Sequence, residues 1–170
     1  MHDRELENAI LIHDEATVLA LLRKDRSRAM TTDEQGRTLL MTAVALGPEV
    51  EGVSEVILGY LLDAGVDTNA ADAEGNTALG LAAEGCPTET LRFLLDRGAD
   101  PNRGNPLIGR LIGDMADEES LDLLLAAGAD PLAQEFEGMN ALELAEDNGD
   151  EDSLRILKRA VRRRRKRTDE

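Results

Sequence analysis

Apolar positions in this chain come in short paired clusters, set apart by polar turns that carry glycine, and the pair recurs. The fullest copy is GNTALGLAAEGCPTETLRFLLDRGADPN at 75–102. Ala78, Leu79, Ala82 and Ala83 fall together on a short helix, and Leu91, Phe93, Leu94 and Leu95 form the stripe of a second. Thr77 can cap the first helix with its hydroxyl, and Gly98 follows the second where a residue with φ > 0 is wanted. Asp72 and Gly75 suit a tight turn in front of the pair.

Degraded copies lie on either side. GRTLLMTAV at 36–44 leads to YLLDAGVDTN at 60–69; downstream stand LDLLLAAGADP at 121–131 and GMNALELAEDNGDEDSLRILKRA at 138–160. The glycines that close the second helix, Gly65, Gly98 and Gly128, are 33 and 30 residues apart. One helix pair cannot bury its apolar stripe alone, so each must stack on the next. A period of about 33 residues with a Thr-x-Leu-x-x-Ala opening, here Thr77 to Ala82, resembles the ankyrin repeat family. The resemblance runs from Leu6 to about Ala160 and implies an all-α solenoid of stacked helix-turn-helix pairs joined by short turns.

Five units are expected, at about 5–30, 33–69, 72–102, 103–131 and 135–160, forming one domain over 1–160 with a basic tail at 161–170. The first keeps its helix pair but lacks the turn before it, as a terminal cap would. The second carries an insert, GPEVEGVS at 47–54, between its helices. In the fourth the turn is nearly absent. One alignment takes Asn105-Pro106-Leu107 as the helix opening and is preferred; the other starts the helix later and leaves Pro106 in the turn. In the fifth, Asn140 stands where Thr is usual.

Composition narrows the chemistry. Aromatics are only 2% and Trp is absent, so the core must be built of Leu and Ala. No apolar run approaches the roughly 18 residues that span a bilayer. The opening MHDRELENAI is acidic where a secretory signal is basic and then apolar, so a cytoplasmic, reducing compartment is expected, or a nuclear one in a eukaryote. Arginine supplies 16 of the 19 basic residues, which hints at a GC-rich bacterial genome.

No enzyme is expected. Cys86 is the single cysteine, and a nucleophile needs a nearby base, whereas His2 and His13 both lie in the first unit. Cys86 therefore reads as a small turn residue. GNPLIGRLIG at 104–113 lacks the Lys-Ser/Thr and flanking strand of a phosphate loop. The acidic run DMADEES at 114–120 lacks the spacing and central glycine of a calcium loop, and reads instead as the start of a helix whose dipole favours acids. Neither a metal nor a cofactor is expected.

Charge is the remaining functional signal. Residues 1–154 hold 10 basic and 33 acidic side chains, a net of −23, whereas 155–170 hold 9 and 2, a net of +7. The body should repel nucleic acid and attract a basic protein surface. The family resemblance implies protein binding through a concave face lined by turns and first helices. By position this selects Leu11 and Ile12; Glu34, Gln35, Arg37 and Leu46; Ala73, Glu74, Asn76 and Glu84; and Phe136, Met139, Asp147 and Asn148. Phe136 is an aromatic in a polar turn with no evident core role, and aromatics and Met are enriched at interface cores; the competing reading packs its ring beneath the shortened fourth unit.

The expected function is thus a monomeric, non-enzymatic module that masks or inhibits a basic protein, in the manner of a bacterial immunity protein. The alternative is a nuclear or nucleic-acid-associated adaptor addressed by the run Arg162 to Arg167. That run is also explained by a last helix continuing past Leu157, whose cations suit its C-terminal dipole and fray into solvent, or by a tail folded back on the acidic stack.

Overall fold

The computed structural model of the chain describes residues 3–45, 54–113, 116–133 and 135–168. Among these are ten α-helices: α1 (Arg4–Leu11), α2 (Glu15–Lys24), α3 (Leu39–Ala45), α4 (Glu55–Ala64), α5 (Ala78–Gly85), α6 (Thr88–Asp96), α7 (Pro106–Ile112), α8 (Glu118–Ala126), α9 (Ala141–Asp147) and α10 (Glu151–Thr168). A 3-10 turn, Arg26–Met30, follows α2. The only named strands among the described residues, β1 (Glu135–Phe136) and β2 (Met139–Asn140), form one small antiparallel hairpin. The fold is an all-α stack of helix pairs.

Local chemistry fixes the helix ends. Thr77 Oγ1 accepts from Gly80 N at 3.2 Å, and Asp3, Asp14, Ser54, Asp117 and Asn140 cap α1, α2, α4, α8 and α9 in the same way. The acidic run in unit four thus supplies the cap of α8, with Glu118 and Glu119 in its first turn; Asp114 and Met115 lie outside the described residues. Gly65, Gly98 and Gly128 all take the left-handed conformation at the ends of second helices, at φ 106°, 87° and 107°. Of the insert at 47–54, only Ser54 is among the described residues.

Packing follows from two rows. In the first row α1 packs on α3, α3 on α5, α5 on α7 and α7 on α9; in the second α2 packs on α4, α6 on α8 and α8 on α10. The core between them is Leu- and Ala-rich, with Leu58, Leu61, Leu79, Ala82, Leu91, Leu94, Leu121 and Leu157 fully buried. Phe93 is half-buried in the second row, where its ring sits under the Arg97 guanidinium at 4.7 Å. Consecutive units are also stitched by asparagine. Asn69 donates to Gly98 O (2.9 Å) and accepts from Asp100 N (2.7 Å), and Asn102 repeats both bonds with Gly128 O and Asp130 N.

Unit four departs from its neighbours, and glycine explains how. Its first helix begins at Pro106, behind Asn105 at φ 51°, so the preferred alignment holds. A β-carbon on Gly104 would lie 2.4 Å from Thr77 Oγ1, and one on Gly113 would lie 2.0 Å from Glu84 O. α7 therefore rides on α5 backbone against backbone, an approach that only glycine permits.

The last helix runs through residue 160 without a break. Val161 is buried, and the helix is continuous to Thr168. Arg159 reaches Asp122 Oδ1 at 2.7 Å and Arg164 reaches Asp130 Oδ2 at 2.9 Å, so the basic segment is clamped along α8 by the acidic stack.

Candidate functional site

The turns that precede α3 and α5 share one construction. Asp33 Oδ1 accepts from Gln35 N and Arg37 N, and Asp72 Oδ1 accepts from Glu74 N and Asn76 N, all at 2.8–3.0 Å. Gly36 and Gly75, at φ 79° and 88°, complete the two turns. Ala73 N then donates to Gln35 O at 2.9 Å, which locks one tip beside the other. The result is a rigid double tip with Glu34, Gln35, Ala73 and Glu74 exposed.

Asp72 is the keystone of this arrangement. Its side chain is only 1% exposed, and Arg37 Nε lies 3.5 Å away. Burial pushes its pKa up, but the bonds from Asn76 and Glu74 and the Arg37 charge outweigh it and hold the carboxyl below its ordinary range. Arg37 is consequently a strut for the tip, its charge matched by Asp72. Asn76 serves both carboxylates, donating to Asp72 Oδ2 (3.1 Å) and to Glu74 Oε2 (3.2 Å), which aims Glu74 outward.

Unit four contributes no tip. Its chain turns flat against α5, with Thr77 Oγ1 donating to Arg103 O at 3.2 Å. The fifth unit restores one by another route: β1 and β2 turn through Glu137 and Gly138, both at positive φ (53° and 80°), as a two-residue hairpin requires. Phe136 pairs across this hairpin with Met139 and is 39% exposed, so part of the residue is open to solvent.

The sequence-selected residues therefore form two groups. Glu34, Gln35, Arg37, Ala73, Glu74, Asn76, Phe136 and Met139 lie at the turn tips. Leu11, Ile12, Glu84, Asp147 and Asn148 lie at the far ends of the first-row helices, about 10 Å away along helices of seven or eight residues. Ile12 is 73% exposed and Leu11 borders it. Leu46 lies outside the described residues.

Sequence reasoning passed over several features, some exposed and some buried. Ile112 is exposed at the end of α7, and Leu132 is exposed where Asn69 and Asn102 stand in the earlier units. The legible signal for Leu132 was the break in the Asp-x-Asn pattern. Arg110 is 1% exposed inside α7 and donates to Cys86 O at 2.8 Å, while its Nε finds no partner among the described residues. Cys86 is buried as well; its thiol is within 3.4 Å of Val44 O, and burial, opposed by the Arg110 charge, pushes its pKa up to about 11. A thiol so protonated is a poor nucleophile.

No helix among the described residues is long and apolar enough to cross a membrane. A family model for ankyrin repeats, comprising three copies, matches residues 6–105. The match ends at Asn105, at the head of α7, where the glycine seam replaces a full turn. No curated protein matches the chain.

Proposed function

The chain belongs to the ankyrin repeat family, a family of protein–protein interaction modules, and on that premise we propose that it binds a basic protein surface through its acidic turn tips and thereby masks or inhibits that protein. The observation that carries the reading is the double tip. Glu34 and Glu74 are exposed and held side by side by the Asp33 and Asp72 turns and the Ala73–Gln35 bond, so little ordering is left to be done on binding. Phe136 and Met139 supply an apolar anchor further along the same edge. A body net charge of −23 would steer a cationic partner toward it. A bacterial immunity or inhibitor role, exercised in the cytoplasm, fits a small acidic module of this kind.

The test is a capture experiment with two baits, the intact protein and a Glu34→Lys/Glu74→Lys form of equal melting midpoint. A basic protein that is retained by the first, lost from the second, and functionally silenced by one equivalent of the intact chain supports the proposal. A partner held equally by both baits removes the tips from the binding site.

A further inference from the structure

A second surface, of opposite charge, lies on the outward side of α10. Leu154, Arg155, Lys158, Arg162 and Lys166 recur there at helical spacing, with Arg163 alongside, and form one open face of the helix. Over these three turns the stripe is about 18 Å long. Arg155, Lys158 and Arg159 are already engaged, with Asp152, Glu146 and Asp122 respectively. Arg162, Arg163 and Lys166 are exposed and make no ion pair among the described residues. Favourable alignment with the helix dipole accounts for cations in the last turn only. The stripe starts three turns earlier, so the dipole does not explain it.

We propose that this face of α10 docks a short acidic amphipathic helix of a partner protein, independently of the turn tips. Two observations select that occupant. The half-buried Leu154 and the aliphatic stems of the cations give this face apolar surface among its charges, which suits a leucine-like anchor flanked by carboxylates. Acids stand beside the face as well: Glu151 and Asp152 at its head, Glu146 against Lys158, and Glu118 and Asp122 against Arg159. These acids engage the proximal cations and leave Arg162, Arg163 and Lys166, which lie within about 6 Å along the axis, a span that adjacent turns of one acidic helix cover but that gives an extended polyanion few contacts. Membrane insertion is disfavoured in addition, because Ile156, Leu157 and Val161 are buried in the stack and leave no apolar face to insert.

The experiment uses the full chain and a labelled peptide of about 16 residues, with Glu at i, i+4 spacing and one central Leu, read by fluorescence anisotropy. Binding should exceed that of a scrambled peptide of the same composition by at least about tenfold, and Arg162→Glu/Lys166→Glu should lower it by about tenfold at an unchanged melting midpoint. The Glu34→Lys/Glu74→Lys form should retain it, which separates this surface from the turn tips. Equal binding of the scrambled peptide, or indifference to the α10 reversals, overturns the proposal. So does tighter binding of a single-stranded oligonucleotide, or of phosphatidylserine vesicles, than of the peptide.

Discussion

Gly80 and Gly104 approach so closely that a β-carbon on Gly80 would lie 2.1 Å from the Gly104 carbonyl oxygen. The obstacle is backbone, so it cannot swing aside as a side chain would. This contact sets the spacing of α5 and α7, and it turns an ordinary expectation about helical glycine upside down.

Within a helix, Gly→Ala normally stabilises by roughly 0.5–1 kcal/mol. Gly80→Ala should instead destabilise by about 1–3 kcal/mol, the usual cost of overpacking. Gly59, in α4, is the internal control: its added β-carbon would meet Phe93 and Arg97 at 3.9 Å, ordinary contact distance, so Gly59→Ala should stabilise. Urea midpoints of the two variants should move in opposite directions. A common sign would mean that α5 and α7 are not in backbone contact.

Leu94 is fully buried between the rows, so Leu94→Ala should cost about 2–5 kcal/mol. Leu132→Ala, at an exposed position, should stay within about 0.5 kcal/mol. Chemical denaturation of the pair checks the helix phase; comparable losses would put Leu132 in the core.

These stability elements were unequally legible. The cap at Thr77 and the left-handed Gly65, Gly98 and Gly128 could be read from sequence because each acts within its own few residues of chain. The Gly80–Gly104 seam could not, since a glycine that permits close approach looks in sequence like one that loosens a turn. Arg110 was hidden for a related reason: burial of its charge depends on Cys86 O, which α5 brings to it from 24 residues away. The Phe136 tip was visible as an anomaly, and its hairpin, set by positive φ at Glu137 and Gly138, was not. For the basic segment, a helix continuing past Leu157 was among the readings the sequence offered, whereas the particular partners Asp122 and Asp130 could not be read because they lie far upstream.

Acid should weaken the first unit in a defined window. The Arg28 side chain bonds the Asp3 carboxylate, which also caps α1, and together these lower its pKa from 3.8 to about 2. A depressed folded pKa contributes stability above the unfolded value that is lost as pH falls through the folded one. The contribution should be on the order of 1–2 kcal/mol after allowance for solvent screening. Asp3→Asn should therefore lower stability at pH 7 and flatten the decline between pH 3.8 and about 2. An unaltered acid limb in the variant would assign that decline to other carboxylates.

The split of the candidate surface into turn tips and helix ends gives the binding proposal its sharpest test. Glu74 belongs to the first group and Glu84 to the second, on opposite ends of the same unit. Long-range attraction is screened as the Debye length falls from about 10 Å at 0.1 M salt to about 3 Å at 1 M, so association with a basic partner should slow as salt rises. If the tips make the contact, Glu74→Lys should reduce the on-rate and its salt dependence more than Glu84→Lys, because the latter charge sits about 10 Å further from the partner. Phe136→Ala should act differently, raising the off-rate by removing an anchor while leaving association nearly unchanged. Stopped-flow or surface-plasmon kinetics at two salt concentrations reads all three. A larger effect at Glu84 would move the interface to the helix ends, beside the exposed Ile12 and Ile112. A Phe136→Ala form with a lowered melting midpoint and an unchanged off-rate would make the ring a packing element of the hairpin and leave Met139 as the apolar contact to examine.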